Sequence, residues 1–248
     1  MKIFTLYFSL ILILTSSVYQ NGFLNQQIKH ERVKVAYSEK GKILKSKLSL
    51  SKIDWQQLQI LMVAYKEESM LEVYVKNKKA RKFQLYKQYP ICVKSGTLGP
   101  KRMEGDQQVP EGFYHINVFN PYSDFHLSLG INYPNKSDQI LGNKNKLGNA
   151  IFIHGSCVSI GCLPMTDEAI KEIYLLNVFA KNANLSKIPV YIFPFRMDKN
   201  NSEKYFNTHR ENKTLITFWK NIQSGYTMFN LKKQELRITI DETGSYIF

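Results

Sequence analysis

Cysteine is scarce in this chain: Cys92, Cys157 and Cys162 are the only three among 248 residues. An odd number cannot be fully paired within one molecule, so a disulfide-dense scaffold is excluded and at least one thiol is left over. Long hydrophobic runs are also missing. Beyond the N-terminus no stretch approaches the roughly 18 apolar residues of a membrane-spanning helix, which excludes a multi-span protein. Acidic residues are few, 20 Asp+Glu against 34 Lys+Arg, giving a formal charge of +14. That balance suits nucleic acid, an anionic envelope surface, or a plain lysine-rich composition. No sequence repeat recurs at a fixed period. What is present is ordinary for a folded protein: 44% hydrophobic and 22% charged residues, on a chain long enough for a substantial core.

Met1-Lys2 is followed by an apolar stretch from Ile3 to Leu14 and then by Thr15, Ser16 and Ser17. A dozen helical residues rise only ~18 Å, too little to cross a bilayer core, and the pattern fits a secretory signal over residues 1–20. No cysteine follows the apolar region, which disfavours a lipid anchor, and export argues against nucleic acid as a partner. Residues 21–50 read as a basic N-terminal extension. Residues 51–198 read as the main domain and 199–248 as a C-terminal cover or appendage.

Ser51 to Tyr65 carries apolar residues at helical spacing, with Ser51 as cap, and predicts a helix. Period-two alternation in Met70–Lys76 and Lys82–Tyr86, around the turn-like Asn77–Arg81, predicts a hairpin. Further strands are expected at Tyr89–Lys94, Gly112–Phe119, Ala150–His154, Pro189–Phe195 and Leu236–Ile240. Helices are expected over Asp167–Ala180, capped by Thr166, and around Leu215–Phe229. The expected class is mainly β with flanking helices (α+β).

The chemistry concentrates in Ile151–Asp167. His154 ends a strand, and eight residues later Cys162 follows Gly161. A thiol that attacks a carbonyl needs a base, which His154 can supply, with the Gly155 carbonyl holding its other ring nitrogen. Gly161 allows close backbone approach, and the amides around it could form an oxyanion hole. Two other readings use the same residues. One is a Cys157–Cys162 disulfide beside a structural histidine. The other is a zinc site from His154, Cys157 and Cys162, which lacks a fourth ligand and has unusual spacing.

The run Ser159-Ile-Gly-Cys-Leu-Pro-Met after Ile153-His-Gly resembles the signature of the L,D-transpeptidase catalytic domain family (YkuD-like). Lys94–Tyr114, with its Gly105-Asp106 and Pro110-Glu-Gly-Phe-Tyr, is similar to a second block of that family. Phe119–Asn135 looks like the YafK-like murein branch. The resemblance implies a β-sandwich or barrel catalytic domain, Cys162 as nucleophile and His154 as base. Ile160 and Pro164 depart from the broad pattern, where a histidine and an arginine are common. His126, Ser159 and Arg196 are then the candidate substrate-binding residues. The implied partners are peptidoglycan stem peptides and a wall-linked lipoprotein, in the periplasm of a Gram-negative bacterium with peripheral envelope association. No cofactor or metal is called for. The implied reaction is acyl transfer at the third stem residue, meso-diaminopimelate, through a thioester. Hydrolytic release of lipoprotein is favoured over 3–3 crosslinking, and a non-catalytic wall-binding protein is the alternative of another class. The pattern does not assign Cys157, which could be a disulfide partner, a reserve thiol or packing.

Overall fold

The computed structural model describes residues 22–248; the expected signal segment lies outside the described residues. The chain begins with α1 (Phe23–Gln27) and the 20-residue α2 (Glu31–Leu50). Val33, Ala36, Leu44 and Leu48 form the buried stripe of α2, which packs on α4 (below), while Lys34, Lys42 and Lys47 face out. Three strands follow: β1 (Leu58–Tyr65), β2 (Met70–Asn77) and β3 (Gln84–Pro90). After a long loop come β4 (Gly112–Asn120), β5 (Ser128–Ile131), α3 (Lys136–Leu141), β6 (Ile151–His154) and β7 (Leu163–Pro164). The chain continues through α4 (Asp167–Asn182), β8 (Ile188–Phe193), α5 (Lys199–Thr208) and α6 (Lys213–Lys232). It ends in a small ribbon of β9 (Thr239–Ile240) and β10 (Tyr246–Ile247).

Eight strands form one mixed sheet in the order β3-β2-β1-β8-β4-β5-β6-β7. The fold is thus a sheet with flanking helices, covered on both faces. Leu58, Ile60, Met62 and Ala64 of β1 face one core with α4 and α2. Leu61, Val63 and Tyr65 face a second core, where Phe218, Trp219, Ile222 and Phe229 of α6 meet Phe193 and Phe195.

This two-sided burial explains the main departure from the sequence reading. Residues 51–65 are not a helix: Ser51 ends α2, a short 3-10 turn covers Trp55–Gln57, and β1 begins at Leu58. A central strand buried on both faces shows a near-continuous apolar run, in which helical spacing occurs by coincidence. The expected strands at Lys82–Tyr86 and Tyr89–Lys94 are instead the single β3, and Ile91–Lys94 belong to a loop. At the C-terminus only Thr239–Ile240 of the expected strand pairs.

Candidate active site

The parallel pairing of β6 with β7 creates the site. Its register sets Ile153 against Leu163 and His154 against Pro164, so Cys162, one residue before β7, lies level with Phe152. The Phe152 N–H donates to Cys162 Sγ at 3.4 Å. The strand pair therefore closes the eight-residue interval between His154 and Cys162 into a tight loop whose two ends are neighbours.

His154 is 2% exposed. Its Nδ1 lies 2.6 Å from the Gly155 carbonyl oxygen. A carbonyl only accepts, so Nδ1 carries the proton, and in the neutral ring Nε2 holds the free lone pair. The Phe125 ring covers the imidazole at 4.7 Å between centroids. Burial pushes the His154 pKa down, partly opposed by the Gly155 carbonyl. Burial likewise pushes the Cys162 thiol up, against the Phe152 N–H and the charge of Lys101. Both shifts favour neutral thiol and neutral imidazole over an ion pair.

The loop between them is held at several points. Cys92 and Cys157 form a disulfide, leaving Cys162 as the free thiol among the described residues. This excludes the Cys157–Cys162 pairing and removes Cys157 from any zinc-ligand set. Cys92 N–H also donates to the Pro164 carbonyl at 2.9 Å, so the β3–β4 loop is stitched to both ends of the segment. Asp167, in the first turn of α4, accepts the Ser156 N–H at 2.9 Å and braces the left-handed turn at Ser156. Gly161 has φ of +128°, and an added Cβ would lie 3.2 Å from the Gln108 carbonyl oxygen. Only glycine fits there without strain.

The other expected residues sit differently. Ser159 Oγ accepts the N–H groups of Gly161 (3.2 Å) and Cys162 (2.9 Å) and donates to the Cys162 carbonyl (2.9 Å). The amides expected to form the oxyanion hole are thus already engaged, and Ser159 shapes the turn. His126 lies behind the Gly155 turn in a left-handed conformation (φ 68°), and its carbonyl accepts from Arg32 of α2 at 2.7 Å. Arg196 is not brought to the thiol. Its guanidinium pairs with buried Glu72 at 2.6 Å and covers the Tyr65 ring at 4.3 Å.

A cleft opens onto Cys162 between Lys66, Ile91, Ser95, Thr97 and Val109. Its floor is fixed by a buried ion pair that sequence reasoning missed. Lys66 Nζ donates to Glu111 Oε1 (2.9 Å) and to the carbonyls of Gly99 (2.7 Å) and Val109 (2.9 Å). Glu111 also accepts from the Gly99 N–H (2.8 Å) and from Trp219 Nε1 of α6 (2.8 Å). The loop above is organised by Asp106, which accepts from Lys101 and from the backbone of Arg102, Met103 and Gln108. Burial alone would raise the Asp106 pKa, but these donors hold it below the usual range. Asp106 lies in the second motif block, so a signal for it was present. No sequence pattern links Lys66, Glu111 and Trp219.

The family model of the L,D-transpeptidase catalytic domain (YkuD) matches residues 59–178, which include Asp106, His154 and Cys162. The proteins named "Putative L,D-transpeptidase YafK" in Escherichia coli K12 and O157:H7 are each 34% identical over 185 residues, covering 74% of this chain and 71% of theirs. Among solved structures, the helical cell shape determining protein Pgp2 from Campylobacter jejuni is similar with a TM-score of 0.44 and 19% identity, covering 75% of this chain and 74% of that one. Bd1075 from Bdellovibrio bacteriovorus is similar with a TM-score of 0.40 and 23% identity, covering 69% and 62%. On the family model and the extended identity to YafK, the chain belongs to the L,D-transpeptidase catalytic domain family.

Proposed function

We propose that this protein is a periplasmic cysteine enzyme that cleaves an amide at the L-centre of the third residue of peptidoglycan stem peptides, releasing wall-tethered lipoprotein. One observation carries the reading: a free thiol lining a cleft, one strand away from a histidine whose tautomer leaves Nε2 unprotonated.

In this reading Cys162 Sγ attacks the carbonyl carbon while His154 Nε2 takes the thiol proton. The carbonyl oxygen becomes an oxyanion, competing with Ser159 Oγ for the Gly161 and Cys162 amides. The hydroxyl keeps its own bond to the Cys162 carbonyl. Collapse breaks the C–N bond, the amine leaves with the proton from His154, and a thioester remains on Cys162. Water, deprotonated by His154, attacks the thioester, giving a stem-peptide carboxylate and the restored thiol. An amine acceptor in place of water gives a crosslink or an attached protein. Thiolate, imidazole and amide donors supply each step.

Intact-protein mass spectrometry after incubation with a defined stem peptide bearing a lysine-linked leaving group tests the reading. The expected result is a transient adduct on Cys162, free leaving peptide and a carboxylate product, all absent in Cys162→Ala. Turnover that persists in Cys162→Ala, or binding without any adduct or product, overturns it.

A further inference from the structure

Leu98 lines the cleft at Cys162. That residue also lines a second, roomier groove, with a volume of about 620 Å³ against about 60 Å³ for the cleft itself. One wall is the Leu98–Arg102 stretch of the β3–β4 loop. The other is the first two turns of α6, completed by the turn at Thr243–Ser245. Residues of α6 lie beyond the segment matched by the family model, which ends at 178, so this wall is supplied by the C-terminal part of the chain.

The groove's charge is one-sided. Among the described residues its lining includes Arg102 and Lys213 and no Asp or Glu. Arg102 rests over the Phe218 ring at 4.8 Å, with its guanidinium 3.4 Å from the Asp138 carboxylate. Lys213 is exposed, and its ammonium has no ion-pair or hydrogen-bond partner among the described residues. Between the cations, Asn212, Thr214 and Thr217 offer polar groups, while Leu98 and Phe218 provide apolar surface. The walls are fixed relative to each other because Glu111 bonds both the Gly99 amide on one side and Trp219 on the other. An open, mixed-polarity groove of fixed width, cationic and sharing Leu98 with the cleft that Cys162 lines, matches an extended peptide that carries carboxylates.

We propose that this groove is a second substrate subsite, which takes a carboxylate-bearing peptide arm of the same molecule whose carbonyl meets Cys162. The proposal rests on the acyl-transfer reading for the identity of that molecule, and Lys213 and Arg102 set the preference for an acidic arm. A substrate lacking the arm occupies the cleft alone.

Calorimetric titration of the Cys162→Ala protein with a synthetic stem-peptide dimer, and with the same dimer after its carboxylates are converted to carboxamides, tests this. Lys213→Glu is the variant. Lys213 opens α6, where an acidic residue favours the helix, so the substitution does not threaten the fold. The expected result is about tenfold weaker binding of the acidic dimer by Lys213→Glu, with binding of the amidated dimer unchanged. Equal affinities of the two proteins for the acidic dimer overturn the subsite, as does an equal loss for both peptides. Acylation of Cys162 in the parent protein by a single stem is measured separately. If no stem acylates Cys162 while binding still depends on Lys213 and on peptide charge, the catalytic reading fails and the anionic-peptide subsite stands.

Discussion

Glu111 offers the most demanding test of the energetics. Its side chain is 0% exposed and that of Lys66 6%, so this ion pair has no solvent to fall back on. Glu111→Gln keeps the shape but removes the charge. It leaves the Lys66 ammonium buried against two carbonyls, and turns an amide NH₂ toward groups that are themselves donors: Lys66, Gly99 or Trp219. Breaking one side of a buried pair costs roughly 3–5 kcal/mol, a large part of the ~5–15 kcal/mol that holds a domain together. In urea unfolding at pH 7, with a slope of roughly 2–3 kcal/mol per M for a chain of this size, the midpoint should fall by about 1–2.5 M. The companion Trp219→Phe removes one bond to a charged acceptor and should cost about 1.5–3 kcal/mol. The two losses should not add, because they share a partner. A Glu111→Gln midpoint within about 0.3 M of the parent would refute the reasoning. Partly restored stability in Lys66→Met/Glu111→Gln would support it, since the double variant no longer leaves a buried ammonium unpaired.

Three further outcomes follow from the site. Because burial raises the Cys162 thiol and lowers His154, iodoacetamide should alkylate the native thiol more slowly at pH 7 than the unfolded one, accelerating above pH 9; a native rate already at plateau below pH 7 would contradict a neutral resting pair. Replacing both Cys92 and Cys157 by serine opens a link across 65 residues, worth up to about 4 kcal/mol by chain entropy. Thermal unfolding should show that loss, together with slower turnover by a loosened His154–Cys162 loop. Arg196→Ala should act on stability and leave KM unchanged. Burial would raise the Glu72 pKa, but bonds from Tyr74, Arg196 and Gln88 hold it below 4.5. The pair therefore stabilises the fold above that value and loses its effect as pH falls through the folded pKa. With Arg196 34% exposed, the loss at neutral pH should be about 2 kcal/mol, below the range for a fully buried pair. A raised KM with unchanged stability would return Arg196 to the substrate.

The juxtaposition of the proposed nucleophile and base was legible because it is local: a strand-end histidine and a glycine-preceded cysteine lie within nine residues and need only one strand pairing to meet. Gly155 was legible for the same reason, since its carbonyl is one residue from the ring it holds. What could not be read depends on contacts between distant segments. The Lys66–Glu111–Trp219 junction joins three parts of the chain with no shared motif, and the Cys92–Cys157 bond is one of three pairings that three cysteines allow. Strand β1 was hidden by its own success as a core element, since Leu61 and Met62 serve opposite faces and erase the alternation that marks a half-buried strand. Arg196 looked like a candidate because sequence shows a charge at a strand end, but not that Glu72 is buried beside it.

The position of β8 has a consequence for how the molecule is made. It joins β1 in parallel and β4 antiparallel, so residues 188–193 are the seam between the β3-β2-β1 half and the β4-β5-β6-β7 half. Until that segment arrives, β1 and β4 each present an unsatisfied edge, and the nascent sheet is two incomplete pieces. Sheets assembled from such remote pairings close slowly, and their open edges invite pairing with other chains. The His154–Cys162 loop, though complete in sequence by Cys162, thus has no finished scaffold until some thirty residues later. A chain whose synthesis stops before β8 should accumulate as an aggregation-prone intermediate rather than as a smaller enzyme.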